Sequence, residues 1–294
     1  MNLLEAIELH LPRGYTIEGR LGVGGTSSVY LATSAATNER LAVKVMLVGT
    51  VNPESIDRFL REMRTLMRLD HPRIVRLLQP GEANGALFFT MPYIDGRTLR
   101  ERLQTAGPLP VRDALLVTRD VSDALGHAHS RGIVHRDVKP DNIFLGRDGA
   151  YLLDFGYADW IGDAGGKPGV IAGTPAYMSP EQVEGRRGDD WRSDYFSLGC
   201  VLHEMLAGHP PFASHSTRAA VARRAPEALP DLRSIRPDVP DDVATIIRRS
   251  LHPDPSSRYP TAGLLRGALD AALARLEDVP TGAAPLGVGF TARP

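Results

Sequence analysis

His135-Arg136-Asp137-Val138-Lys139-Pro140-Asp141-Asn142 is followed by Asp154-Phe155-Gly156, with Asp154 seventeen residues after Asp137. Carboxylates, an ammonium and an amide fall within one short span. These are the parts needed to bring a magnesium-bound nucleotide to a hydroxyl acceptor. A three-residue match alone carries little weight. Six fixed positions in one octapeptide, at a set distance from a second motif, carry a great deal.

The rest of the 294-residue chain bounds the possibilities. That length suits one large bilobal domain or two small ones. Hydrophobic content of 43% and charged content of 23% are those of a soluble globular protein. A formal net charge of −1 with no long run of one sign argues against nucleic acid as a partner. The one cysteine, Cys200, excludes an internal disulfide framework and a cysteine zinc cluster, and its apolar setting reads as a small buried hydrophobe. No stretch approaches the roughly 18 apolar residues of a membrane span. The N-terminus has no basic region followed by an apolar one, so a cytoplasmic location is expected. Of the three lysines, Lys44, Lys139 and Lys167, two lie in motifs that look catalytic.

Outward from the octapeptide, residues 15–48 alternate around a glycine-rich turn, as a β-hairpin would. Asn52-Pro53-Glu54 reads as a helix start, and Ile56, Phe59, Leu60, Met63, Leu66 and Met67 follow at helical spacing. Short strands are expected within 73–92. After Gly96 the pattern becomes helical: a long segment opens at Pro110 and ends near Gly132. A buried helix follows over about 193–207, and two more helices over 239–252 and 261–277. A strand-rich third with one major helix, then a helical remainder, predicts an α+β protein. Residues 1–14 read as an N-terminal extension and 278–294 as a flexible tail.

Together with Ala42-Val43-Lys44, the octapeptide and Asp-Phe-Gly resemble the catalytic core of eukaryotic-like (Hanks-type) Ser/Thr protein kinases. The resemblance covers roughly residues 15–276 and looks closest to bacterial members, which suits the arginine-, alanine-, glycine- and proline-rich composition. It implies a bilobal kinase fold, with an N-lobe over about 15–92 and a C-lobe over about 95–277. It also implies transfer of the ATP γ-phosphoryl group to protein Ser/Thr hydroxyls with Mg2+, or Mn2+ in its place.

By that resemblance Asp137 orients the acceptor hydroxyl and takes its proton, Lys139 steadies the γ-phosphate, and Asn142 and Asp154 hold the metal. Lys44, a charge in an apolar strand, needs a partner, and Glu62 lies at the edge of the helical apolar stripe beside Phe59 and Leu66. Arg61, Arg64 and Arg68 are expected on the opposite, solvated face. Leu21, Gly22, Gly24, Gly25, Ser27 and Val29 form the phosphate loop, with Ser27 where a third glycine is usual. Ala42 and Met91 line the adenine pocket, and Pro92, Tyr93 and Ile94 form the hinge. Pro92 has a carbonyl to offer there but no amide hydrogen. Thr174 belongs to the substrate-docking segment, in which Ser179-Pro180-Glu181 stands where Ala-Pro-Glu is more common. Glu181 expects a buried cation at Arg258, and Asp194 braces the catalytic loop. His135 reads as a core histidine packed near Phe155.

No serine or threonine lies between Gly156 and Gly173, where Tyr157 is the only hydroxyl. The loop is therefore expected to need no phosphorylation, with Arg136 either paired to Asp159 or Asp163 or left solvated. Two rival functions remain open: a non-catalytic pseudokinase that serves as a binding module, and a kinase-like phosphotransferase for small molecules. A dinucleotide-binding domain fits less well, because no helix immediately follows Gly25.

Overall fold

The computed structural model describes residues 2–24, 26–160, 175–184, 190–212 and 232–278. They divide into two units: Met1–Asp95 with Leu153–Ala158, and Gly96–Leu152 with the described residues from Asp159 onward.

The first unit opens with α1 (Leu3–Glu8), started by a capping box in which Asn2 and Glu5 satisfy each other's backbone amides. Five strands follow: β1 (Tyr15–Val23), β2 (Ser28–Ser34), β3 (Arg40–Leu47), β4 (Gln79–Ala83) and β5 (Ala86–Pro92). They form one antiparallel sheet in the order β1-β2-β3-β5-β4. Residues 15–48 are thus a three-strand meander rather than a hairpin, because the turn at Thr37-Asn38 adds β3. Strand structure in 73–92 is confined to β4 and β5 apart from an isolated bridge at Ile74. Their two-residue Asn84-Gly85 loop has positive φ at both positions (47° and 74°), the geometry that matches strand twist and favours this dipeptide.

Side-chain alternation gives the sheet two working faces. Ala32, Leu41, Val43, Val45 and Phe88 pack with Ala6 and Ile7 of α1 in one core cluster, so the expected extension is a docked helix. The other face meets α2 (Pro53–Leu66), where Phe59 lies 5.4 Å from Phe89, centroid to centroid. Asn52 caps α2 by accepting from Ser55 N at 2.9 Å, with Pro53 at the first helical position. Phe59, Glu62, Met63 and Leu66 are buried. Met67 is exposed instead, since the helix ends there and its side chain leaves the apolar stripe. Arg64 and Arg68 are exposed and Arg61 is half-buried.

In the second unit, β6 (Gly96–Thr98) precedes α3 (Leu99–Ala106) and α4 (Val111–Ser130). Short strands β7 (Ile133–Val134), β8 (Ile143–Gly146), β9 (Gly149–Leu152) and β10 (Asp159–Trp160) come next. The helices α5 (Pro180–Val183), α6 (Arg192–Ala207), α7 (Leu232–Ile235), α8 (Asp241–Ser250) and α9 (Ala262–Asp278) complete it. Strand β8 lies between β6 and β9, and β7 pairs with β10. These strands are two to four residues long, too short for periodicity to reveal.

Every residue of α6 from Ser193 to Leu206 is buried, so it is a central helix with no solvent face. It packs against α4 and α8, and α4 in turn packs against α9. Gly208 closes α6 at φ 85°, a conformation that would strain most other residues. The architecture is the expected α+β: a β-rich unit with one major helix, and a mostly helical unit. Among the described residues no helix is long and apolar enough to cross a membrane.

Candidate active site

In the first unit, strand register decides the geometry. Lys44 on β3 pairs with Val29 on β2 and Phe89 on β5, and Ala42 pairs with Met91. Directly paired residues share a sheet face, so Val29, Ala42, Lys44, Phe89 and Met91 lie on the α2 side. A one-residue slip would put Lys44 on the α1 side. Here its Nζ lies 2.6 Å from both Glu62 oxygens and 5.7 Å from the centroid of the Phe89 ring.

The pair is electrostatically tense. Burial pushes the Glu62 carboxyl up to about 7, against the pull of the Lys44 ammonium, and the nearby charge of Asp154 pushes in the same direction as burial. Burial works to lower the Lys44 pKa, but the Glu62 and Asp154 charges outweigh it, leaving the ammonium above its ordinary value. Asp154 therefore acts on the same cation as Glu62.

Leu21 and Gly22 end β1 and are exposed, as is Gly24. The Gly24 N–H donates to Ser27 O at 2.7 Å, which closes the turn into β2. Ser27 is absent from the left-handed residues, so a side chain stands there without backbone strain. Pro92 is exposed, and Tyr93 and Ile94 beyond it are half-buried. Arg40 stacks over the Tyr93 ring at 4.4 Å.

The second unit holds the octapeptide His135–Asn142. Asp137 is buried, and its Oδ2 accepts from Lys139 Nζ at 2.7 Å and from Asn142 Nδ2 at 3.0 Å. Asn142 Nδ2 also donates to Asp137 O at 2.8 Å. With its amide hydrogens committed to Asp137, the side chain presents its oxygen to any further partner. His135 is fully buried, and its Nδ1 accepts the Asp137 N–H at 3.2 Å. That bond lets the buried histidine shape the loop.

Four described non-glycine residues have positive φ: two turn asparagines, Asn38 and Asn84, and then Arg136 (65°) and Asp154 (59°). Arginine gains nothing locally from that conformation, so its surroundings must impose it. The Arg136 N–H donates to Asp194 Oδ1 at 2.8 Å, and its carbonyl accepts from Gln182 Nε2 at 3.0 Å. Asp194 Oδ2 takes the His135 N–H at 2.9 Å and bonds His129 Nε2 at 2.8 Å. Burial would raise the Asp194 pKa, but these donors and the neighbouring histidines outweigh it and hold it below the usual carboxylate range.

Behind the loop, Arg258 is wholly buried and meets Glu181 through two bonds of 2.6 and 2.8 Å. Gln182 owes its position to Ser179, since the two form the capping box that starts α5. The serine that replaces the more usual alanine therefore has a structural role.

Several participants escaped the sequence reading. Gln182 and His129 look like ordinary polar residues of helix ends. Arg100 on α3 donates to Glu204 at 2.7 Å, to Tyr177 OH at 2.5 Å and to Asp141 at 3.4 Å. Tyr177 OH also donates to Glu204 at 2.5 Å. Burial and the Glu204 carboxylate raise the Tyr177 pKa, so the phenol stays protonated. Only the exposed-looking helix start at Arg100 and the buried stretch at Glu204 could have hinted at this network. Gly25, Asp163 and Thr174 lie outside the described residues, and Asp159 is described only as a strand residue opposite Val134.

Comparison with known proteins identifies the family. The model of the protein kinase domain family matches residues 15–267. Serine/threonine-protein kinase PknB of Mycolicibacterium smegmatis is 38% identical over 270 residues, 88% of this chain and 43% of that protein. Serine/threonine-protein kinase PrkC of Bacillus subtilis is 35% identical over 251 residues, 84% of this chain and 39% of that protein. The chain thus spans less than half the length of these relatives. It belongs to the protein kinase family, and its relatives are bacterial Hanks-type kinases.

Proposed function

We propose that this chain is a Ser/Thr protein kinase that transfers the γ-phosphoryl group of ATP to protein hydroxyls with magnesium. What carries the reading is the Asp137 arrangement: a buried carboxylate oxygen held by Lys139 and Asn142 on a loop pinned by Asp194. Lysine after the catalytic aspartate is the Ser/Thr pattern, and the relatives named above bear Ser/Thr kinase names.

Asn142 and Asp154 would each offer magnesium an oxygen ligand, and magnesium keeps waters and phosphate oxygens as its others. Manganese accepts the same donors. When bound, the metal neutralises phosphate charge that would otherwise repel the attacking oxygen. The protein's own residues do the rest. Lys44, fixed by Glu62, presents its ammonium to nucleotide phosphates. Asp137 orients the acceptor hydroxyl and takes its proton, and Lys139 stands beside it as the cation for the migrating charge. Glu181 and Arg258 support the docking segment, and Leu21 to Val29, Ala42 and Met91 to Ile94 form the nucleotide surface.

The test is incorporation of phosphate from magnesium-ATP into a generic protein mixture, with the modified residues sequenced. Phosphoserine and phosphothreonine are expected, and Asp137→Asn should abolish most of the signal. Label appearing mainly on tyrosine would refute the Ser/Thr assignment. No incorporation above background by the wild type would leave the binding-module reading in its place.

A further inference from the structure

Tyr157, the residue after Asp-Phe-Gly, has a partner that neither its position nor its type announces. Arg58 lies one turn before Glu62 on α2. Its Nη1 donates to Tyr157 OH, and its guanidinium lies over the Tyr157 ring, 5.1 Å from the centroid. Arg58 Nη2 donates to Ser55 Oγ at 3.0 Å, which fixes the guanidinium along the helix. The backbones also come close: a Cβ placed on Gly156 would lie 3.8 Å from Arg58 O and 4.0 Å from Arg58 Cβ. Helix α2 and the segment that carries Asp154 are therefore joined at side-chain and backbone level, within one unit.

The pair that this junction flanks depends on where α2 sits. Glu62 is a buried carboxylate whose partner Lys44 stands on the sheet, so a short outward movement of α2 would part them. A further contact on α2 would oppose that movement. In many two-state switches an added phosphate does so, by pairing with an arginine. Here an arginine on the helix already pairs with a phenol hydroxyl that is always present.

We propose that Arg58 and Tyr157 are positioning residues: their contact holds α2 in place, so that Glu62 stays on Lys44 beside Asp154 without any added phosphate. The kinetic half of this proposal rests on the kinase reading above; the conformational half does not. The contact combines a hydrogen bond with a cation over an aromatic face, and tying a helix is a task such a pair can perform at a partly exposed site.

The experiment compares wild type with Arg58→Ala, Arg58→Lys, Tyr157→Phe, Tyr157→Ala, the Arg58→Ala/Tyr157→Ala double variant and, as a control, Arg64→Ala. Hydrogen exchange over residues 53–66 is measured in the nucleotide-free protein, and kcat and KM for magnesium-ATP are measured at saturating protein substrate. Expected are faster exchange of α2 and an ATP KM raised about tenfold in either alanine variant, with kcat reduced and KM for protein substrate unchanged. Tyr157→Phe, which keeps the ring, should fall between wild type and Tyr157→Ala, and Arg58→Lys should recover part of the loss. The double variant should be no worse than the worse single one. Arg64→Ala should match wild type. Unchanged exchange of α2 in both alanine variants would overturn the proposal, as would losses that multiply in the double variant. If the wild-type protein transfers no phosphate, the kinase reading falls, and the exchange measurement alone still decides the tie.

Discussion

Arg258 and Glu181 meet edge to edge across 77 positions of sequence, and the arginine has no donor to spare. Its other hydrogens go to the carbonyls of His252 (2.7 Å), Arg192 (3.1 Å) and Pro253 (3.0 Å). Five donors meet five acceptors, and Phe196 lies under the guanidinium at 4.9 Å. A buried ion pair stabilises only when its surroundings are this complete.

Arg258→Met should therefore cost about 3–5 kcal/mol of unfolding free energy, because the half-buried Glu181 would lose its cation and three backbone carbonyls would lose their donor. Arg258→Lys should recover little, since an ammonium cannot reproduce the planar fork. Urea denaturation followed by circular dichroism checks both, and a loss below about 1 kcal/mol in Arg258→Met would contradict the account.

Asp137→Asn should lower kcat by roughly 10²–10⁴-fold while leaving KM for ATP near the wild-type value, since it removes the proposed base and spares the proposed nucleotide contacts. Steady-state kinetics at saturating substrate reads this directly.

The Glu62 carboxyl, pushed up to about 7, must be ionised to chelate Lys44. Raising pH through that value creates the competent form, so kcat/KM for ATP should climb on the acid side and level off above it. Glu62→Gln should be slower by about 10²–10³-fold and lack that rise. Stability runs the other way. Between about 4, where an unfolded glutamate releases its proton, and about 7, the folded chain retains one more proton. Unfolding free energy from this group therefore falls as pH rises across that window, with a slope of at most about 1.4 kcal/mol per pH unit. Subtracting the Glu62→Gln profile from that of wild type isolates the effect.

Asp194 behaves oppositely. Its depressed pKa means that its contribution is complete above the ordinary carboxylate range and disappears as pH falls through the depressed value. Asp194→Asn should remove that acid-side dependence. It should also lower kcat, because an amide cannot accept the His135 and Arg136 N–H groups on both of its atoms. Thermal melts from pH 3 to 7, paired with kinetics at neutral pH, provide the check.

Gln182→Ala should release the Arg136 carbonyl from one side. Expected is a fall of about 3- to 30-fold in kcat, in line with the loss of about 0.7–2 kcal/mol for a bond to a strained backbone position. Ser179→Ala should give a milder version of the same loss, since it loosens the capping box that aims Gln182. A kcat equal to wild type in both variants would show that Asp194 alone holds Arg136.

Chemistry that needs residues close along the chain could be read from the chain. Asp137, Lys139 and Asn142 fall within six positions, so chain connectivity alone brings them together. The start of α2, the burial of Glu62 and the end of α6 likewise follow from caps, periodicity and glycine, which act over a turn or two. The two- to four-residue strands of the second unit could not be read, since so few residues carry no period. Nor could the Arg100–Glu204–Tyr177 network or the tie between Arg58 and Tyr157, whose partners stand 27 to 104 and 99 positions apart. An arginine on a helix looks the same in sequence whether it meets water or a phenol. The spacing of side chains thus determined which groups the loop and helix carry. The family resemblance named the Lys44–Glu62 and Glu181–Arg258 pairs in advance; for Arg100, Glu204, Tyr177 and Arg58 only the folding of sheet and helices decided the partners, because partner choice over such separations depends on packing and strand register.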